Sequence, residues 1–126
     1  MTVARREPSV LTVSETIFDQ ASALALLEGD EQLLQELLTL FVSAAPALVA
    51  DGRQGCARHD MVVLARAAHR LRGNAAQIGG HTVSEIAQDI EQNARTGEAA
   101  RACARIDELS DAVTALCERL RAHLAG

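Results

Sequence analysis

The strongest constraint on this chain is the period of its apolar residues. They recur at steps of three and four, the spacing of one helix face. Leu34, Leu37, Leu38, Phe41, Ala45 and Leu48 make one stripe, and Met61, Leu64, Ala68, Leu71, Ala75 and Ile78 a second. Val83, Ile86, Ala87, Ile90 and Ala94 make a third, and Ala102, Ile106, Leu109, Val113, Leu116, Leu120 and Leu124 a fourth. No segment alternates with the period of two that a half-buried strand needs. Aromatic residues are only 2% of the chain, without Trp or Tyr, so the core must come from Leu, Ala, Val and Ile. That suits helix-on-helix packing better than a β-sandwich. At 126 residues one domain with a real core is expected. The predicted fold is all-α: an antiparallel four-helix bundle with a short additional N-terminal helix.

Punctuation residues set the expected boundaries. Residues 1–14, which include Pro8, read as a flexible tail or linker, leaving 15–126 as the domain. The short leading helix covers IFDQASALALLEG and ends at Gly29. Asp30 is the expected N-cap of the next helix, which runs to about residue 52 with a bend at Pro46. The glycine-rich stretch from Gly52 reads as a turn. The third helix runs from about Asp60 to Ile78 and is stopped by Gly79 and Gly80. Thr82 and Glu85 have the T-x-x-E form of a capping box, opening a fourth helix that stops at Gly97. The last helix covers about 98–124.

Charge and cysteine content exclude several classes. A net charge of -5 disfavours nucleic acid or an anionic membrane surface as the main partner. No long apolar run reads as a membrane span, and the N-terminus lacks the apolar core of a secretory signal. Cys56, Cys103 and Cys117 are an odd count without close spacing. Reduced thiols in a cytoplasmic protein are therefore expected, with Cys103 and Cys117 as inert, half-buried side chains. His59, His69, His81 and His123 contain no i,i+4 pair and no Glu-x-x-His motif, so no metal site is expected.

The stretch AAHRLRGNAAQIGG, residues 67–80, holds the candidate chemistry. At about 100° per residue, His69 lies roughly 130° from the centre of its helix's apolar stripe and should face outward. Ala65 and Arg66 lie one turn before it, Arg72 and Gly73 one turn after, and Val62 and Ala76 two turns away. Gly73 costs about 1 kcal/mol relative to Ala in a helix interior, a loss that makes sense if another molecule must approach the ring closely. Arg66 and Arg72 make a local cationic site in an acidic protein, suited to a phosphoryl group. The plain alternative is an exposed histidine among solvated arginines. Glu91 and Gln92 fall on the fourth helix within possible reach of His69, although a solvated face is the simpler reading of each.

This stretch resembles the phosphoacceptor helix of histidine-containing phosphotransfer (HPt) domains, whose core motif is H-x-L-K-G followed by small residues. Here it reads His69, Arg70, Leu71, Arg72, Gly73, Asn74, Ala75. LLEGDEQLLQELLTLF before it and the IGG and IEQNARTGE segments after it extend the likeness over about residues 15–124. The family lysine is replaced by Arg72, which keeps the charge and can bind a phosphoryl group bidentately. Asn74 lies about 160° around the helix from His69 and should not touch the phosphate.

The resemblance implies that His69 accepts a phosphoryl group from a receiver-domain aspartate and passes it to another receiver in a two-component phosphorelay. Arg72 would stabilise the phosphate, and Gly73 would permit close approach. Val62, Ala65, Arg66 and Ala76, with part of the second helix, would form the docking face. The partners implied are receiver domains of response regulators or of a hybrid histidine kinase, meeting a monomer. No cofactor is implied on this chain, because the receiver would bring Mg²⁺. No autonomous kinase activity is expected, since the sequence has neither a P-loop nor a glycine-rich ATP lid. A docking module that kept the fold and lost the chemistry is the main rival. A kinase dimerisation helix is disfavoured because Arg70, rather than an acid, follows His69.

Overall fold

The computed structural model describes residues 11–126, so most of the expected tail lies outside it. Among the described residues seven helices follow one another: α1 (Val13–Ile17), α2 (Gln20–Leu26), α3 (Glu31–Ala57), α4 (Met61–Gln77), α5 (His81–Arg95), α6 (Ala99–Ala104) and α7 (Ile106–Ala125). The four long ones, α3, α4, α5 and α7, pack in a ring: α3 on α4, α4 on α5, α5 on α7 and α7 on α3. The four-helix bundle is as expected. The stripes face its axis, where Leu34, Leu38, Leu64, Leu71, Ile90, Leu109, Leu116 and Leu120 are almost wholly buried.

Several boundaries differ from the sequence reading. The leading segment is two helices, because Phe18 and Asp19 leave helical geometry and are buried. A reciprocal capping box does exist, but it joins Thr12 and Glu15 at the start of α1. At α5 the N-cap is Gly80, two residues before the expected Thr82, and Thr82 Oγ1 instead donates to the Thr16 carbonyl at 3.1 Å. Tertiary contact has taken the hydroxyl from the cap. Asp30 and Asp60 cap α3 and α4 by accepting from Leu33 N and Val63 N. The last helix is broken at Arg105, separating α6 from α7.

The glycines read as a turn lie inside a helix. α3 continues through Pro46 to Ala57, and Gly52 and Gly55 are buried within it. A Cβ on Gly55 would stand 2.9 Å from both Asp60 O and Leu64 N, so the missing side chain lets α3 and the start of α4 touch backbone to backbone. The chain reverses after Ala57 instead, with His59 in the left-handed region at φ 55. α3 has the length and the mean hydropathy, 1.7 over its most apolar window, of a membrane span, contrary to the expectation that no run would. Its apolar face is occupied here by α4 and α7.

The cysteine expectation is corrected too. Cys56 near the end of α3 and Cys103 in α6 form a disulfide, with Cα atoms 5.7 Å apart. Sequence spacing hid the pairing, because the two residues are 47 apart and meet only after the bundle closes. Cys117 is free and buried; burial pushes its thiol up, against a smaller opposing effect of Arg121.

Candidate functional site

α4 and α5 are joined by a tight turn, and this hairpin carries the site. Gly79 takes φ 76 to end α4, and its carbonyl accepts from Asp19 N at 2.8 Å. The hairpin is pinned again where Ser84 Oγ donates to the Arg72 carbonyl at 3.2 Å. His69 projects from α4 with its side chain 56% exposed, as its helical phase requires. Across from it, Glu91 extends from α5 and is 8% exposed.

Glu91 is the hub of a four-residue network. His69 Nδ1 lies 2.9 Å from Glu91 Oε2, Arg72 Nε donates to Oε1 at 2.9 Å, and Arg95 Nε donates to Oε2 at 2.9 Å. Burial pushes the Glu91 carboxyl up, but hydrogen bonds from Arg95 and His69 and the charge of Arg72 outweigh it. The net result is a carboxyl held below its ordinary range. An ionised carboxylate only accepts, so the bond to Glu91 forms in the tautomer whose proton is on Nδ1. A neutral imidazole has one N–H, which leaves the lone pair on Nε2. Nε2 has no hydrogen-bond partner among the described residues.

Arg72 also brings an NH2 nitrogen within 3.0 Å of His69 Nδ1. It is a donor only, so it competes with Glu91 for that atom. Both contacts are charge-assisted, and Nδ1 gives its proton to Glu91 in one imidazole tautomer and accepts from Arg72 in the other. Arg72 is already bound to Glu91 through Nε, which leaves its outer N–H groups available to an anion. The chain contains no lysine at all, so arginine at this position follows the composition of the whole sequence.

The other expected site residues divide. A Cβ on Gly73 would meet nothing within 4 Å, so the space beside it is open. Val62, Arg66 and Ala76 are exposed on α4. Ala65 is not: at 4% exposure it is buried where α4 packs on α5, and it leaves the docking face. Small size at position 65 serves helix packing. Glu91, for which a solvated face was the simpler reading, is buried against His69, and Arg95 was missing from the expected site. The signal for Glu91 was its phase, four residues after Ala87 and three before Ala94, which puts a carboxylate on the buried stripe of α5. Arg95, one turn further, had no signal of its own.

The remaining histidines lie elsewhere. His81 Nε2 meets the buried Asp19 carboxylate at 3.0 Å, and His123 packs edge-on against Phe18. Among the described residues no group of three His, Cys, Asp or Glu gathers as a metal cluster.

The Hpt domain profile matches residues 36–123 of this sequence. The chain belongs to the Hpt domain family. The Hpt fold is shared with the crystal structure of the HPT domain from a Shewanella Hpt sensor hybrid histidine kinase. The two have a TM-score of 0.81 and 19% identity over 88% of this chain and 96% of that one. Among curated proteins, none matches significantly in sequence. Hpt domains are phosphocarriers of two-component systems that work with receiver domains and kinases.

Proposed function

We propose that this Hpt domain is a phosphorelay intermediate that accepts a phosphoryl group on His69 Nε2 from a receiver aspartate and delivers it to a second receiver. The observation that carries the reading is the pairing of His69 Nδ1 with Glu91, which leaves Nε2 unpaired at the exposed side of the ring. In the accepting step the Nε2 lone pair attacks phosphorus. An N–P bond forms, the P–O bond of the aspartyl phosphate breaks, and the aspartate carboxylate leaves with the electron pair. Nδ1 keeps its proton, so positive charge develops on the ring directly against the Glu91 carboxylate. Arg72 offers its outer N–H groups to the phosphoryl oxygens, and the gap at Gly73 lets the partner close on the ring. Mg²⁺ belongs to the receiver in this scheme.

A cytoplasmic setting suits such partners. The disulfide between Cys56 and Cys103 is unusual for that compartment and does not touch the site network. The rival reading, a docking module without chemistry, is disfavoured by the intact network around His69. Incubation with a phosphorylated receiver should give an acid-labile, alkali-stable label on the wild-type chain and none on His69→Gln, with identical helical circular dichroism. Equal labelling of the two proteins would refute the assignment.

A further inference from the structure

Arg95 has no part in the transfer steps described above, yet it is bonded to the atom that governs His69. It stands in the last turn of α5, one turn beyond Glu91, with its side chain 56% exposed. Its Nε donates to Glu91 Oε2 at 2.9 Å. That is the same oxygen that lies 2.9 Å from His69 Nδ1. The other oxygen, Oε1, is taken by Arg72. Two guanidinium groups therefore share one buried carboxylate, and the excess charge beside the imidazole is positive. Arg66 and Arg70 also line the cleft beside His69, but among the described residues neither is hydrogen-bonded to Glu91. The plain role of an i,i+4 Glu–Arg pair is to support its own helix. Here the acceptor is buried and already serves His69, so the pair reaches beyond its helix.

Resting on the phosphocarrier reading, we propose that Arg95 is a positioning residue that keeps phosphorylated His69 a ready donor, by drawing part of the Glu91 charge away from Nδ1. An oxygen that already accepts from a cation is a weaker acceptor for a second donor, and the charge of Arg95 lies on the Nδ1 side of the ring. Once Nε2 carries phosphorus and Nδ1 keeps its proton, the ring is positive. Glu91 stabilises that charge and Arg95 opposes it. In the delivering step the Nε2–P bond breaks, its electron pair returns to Nε2, and a carboxylate oxygen of the receiver takes the phosphorus. The ring charge vanishes in this step, so a cation beside Glu91 favours delivery. Before phosphorylation the same bond works in the same direction. It weakens the tautomer that gives its Nδ1 proton to Glu91 relative to the one that accepts from Arg72. Arg72 does not duplicate this role, because it bonds the other oxygen and its outer N–H groups serve the phosphoryl oxygens.

The test measures the equilibrium of phosphoryl exchange between this protein and two different receivers that label the wild type. Such a constant does not depend on how well a pair docks, and its change on mutation belongs to the phosphohistidine alone. Arg95→Ala should shift both equilibria towards phosphorylated His69 by the same factor, about threefold or more. Arg95→Lys, which keeps the charge, should return most of that shift. Arg121→Gln removes a charge on α7 at the α3–α7 cleft and should leave both constants at the wild-type value. Nitrogen-15 NMR of unphosphorylated Arg95→Ala should show a larger share of neutral His69 rings with the proton on Nδ1. Lost helix support alone would not produce a gain of phosphohistidine. Unchanged constants, a shift towards the receivers, factors that differ between the two receivers, an equal shift in Arg95→Lys, or an unchanged tautomer ratio overturns the proposal. Failure of both receivers and of phosphoramidate to label wild-type His69 would instead remove the phosphocarrier reading, and the tautomer ratio would then decide the role of Arg95 by itself.

Discussion

At the scale of single residues, Glu91 decides what His69 can do. A buried carboxylate without partners would be costly, but this one accepts from Arg72 and Arg95 and holds a histidine ring nitrogen. Its carboxyl is held below the ordinary value of 4.5 in the folded protein. Its contribution to stability is therefore complete above about pH 4.5 and is lost as pH falls through the lower folded value. Glu91→Gln should destabilise the protein at pH 7 by about 1–3 kcal/mol, and the gap to wild type should narrow below pH 4.5. Urea unfolding across pH 3–7 checks this; a gap that widens in acid would reverse the sign. His69 was legible in the sequence because helical phase alone turns it outward. Arg72 was legible as a neighbour, but its competition with Glu91 for Nδ1 was not, because that depends on how far α5 stands from α4. Ala65 misled: one turn from His69 in sequence, it faces α5 in space.

At the scale of elements, two glycines inside helices have opposite surroundings. Gly55 lies where α3 and α4 touch backbone to backbone, and Gly73 faces open space beside His69. Replacing glycine by alanine in a helix interior gains about 1 kcal/mol when nothing opposes it. Gly73→Ala should show that gain. Gly55→Ala should instead lose about 1–3 kcal/mol through overpacking. Chemical denaturation of both variants tests the packing directly, and stabilisation by Gly55→Ala would contradict it. The same contrast explains which boundaries were legible. Asp30 and Asp60 announce helix starts by local chemistry, and the sequence shows local chemistry. Gly52 and Gly55 look like a turn for the same local reason, yet their role is set by a second helix. The threonine caps exchanged places for a tertiary reason as well, since Thr82 is drawn to the Thr16 carbonyl.

At the scale of the whole molecule, the heptad-like stripes were enough to give the ring of four helices, because each stripe must be covered and short connections force neighbours to run antiparallel. What holds the ring at its lower edge was not visible. The disulfide between Cys56 and Cys103 closes a loop that contains α4 and α5, and therefore the whole His69 network. With the two cysteines 47 positions apart in sequence, its loss should cost about 2–4 kcal/mol of stability. Reduction should lower the urea midpoint by that free energy divided by the denaturant slope, without abolishing labelling of His69. An unchanged midpoint would show that the cross-link does not constrain the chain. Cys117, buried on α7 with its thiol pushed up, should contribute nothing to that difference.

The central claim is that Glu91 holds Nδ1 and leaves Nε2 to carry the phosphoryl group. Nitrogen–phosphorus correlation by NMR on the phosphorylated, isotopically labelled chain tests it most directly. The account predicts one phosphohistidine, at residue 69, with phosphorus bonded to Nε2 and Nδ1 still protonated. Phosphorus bonded to Nδ1, or to any residue other than His69, would contradict it.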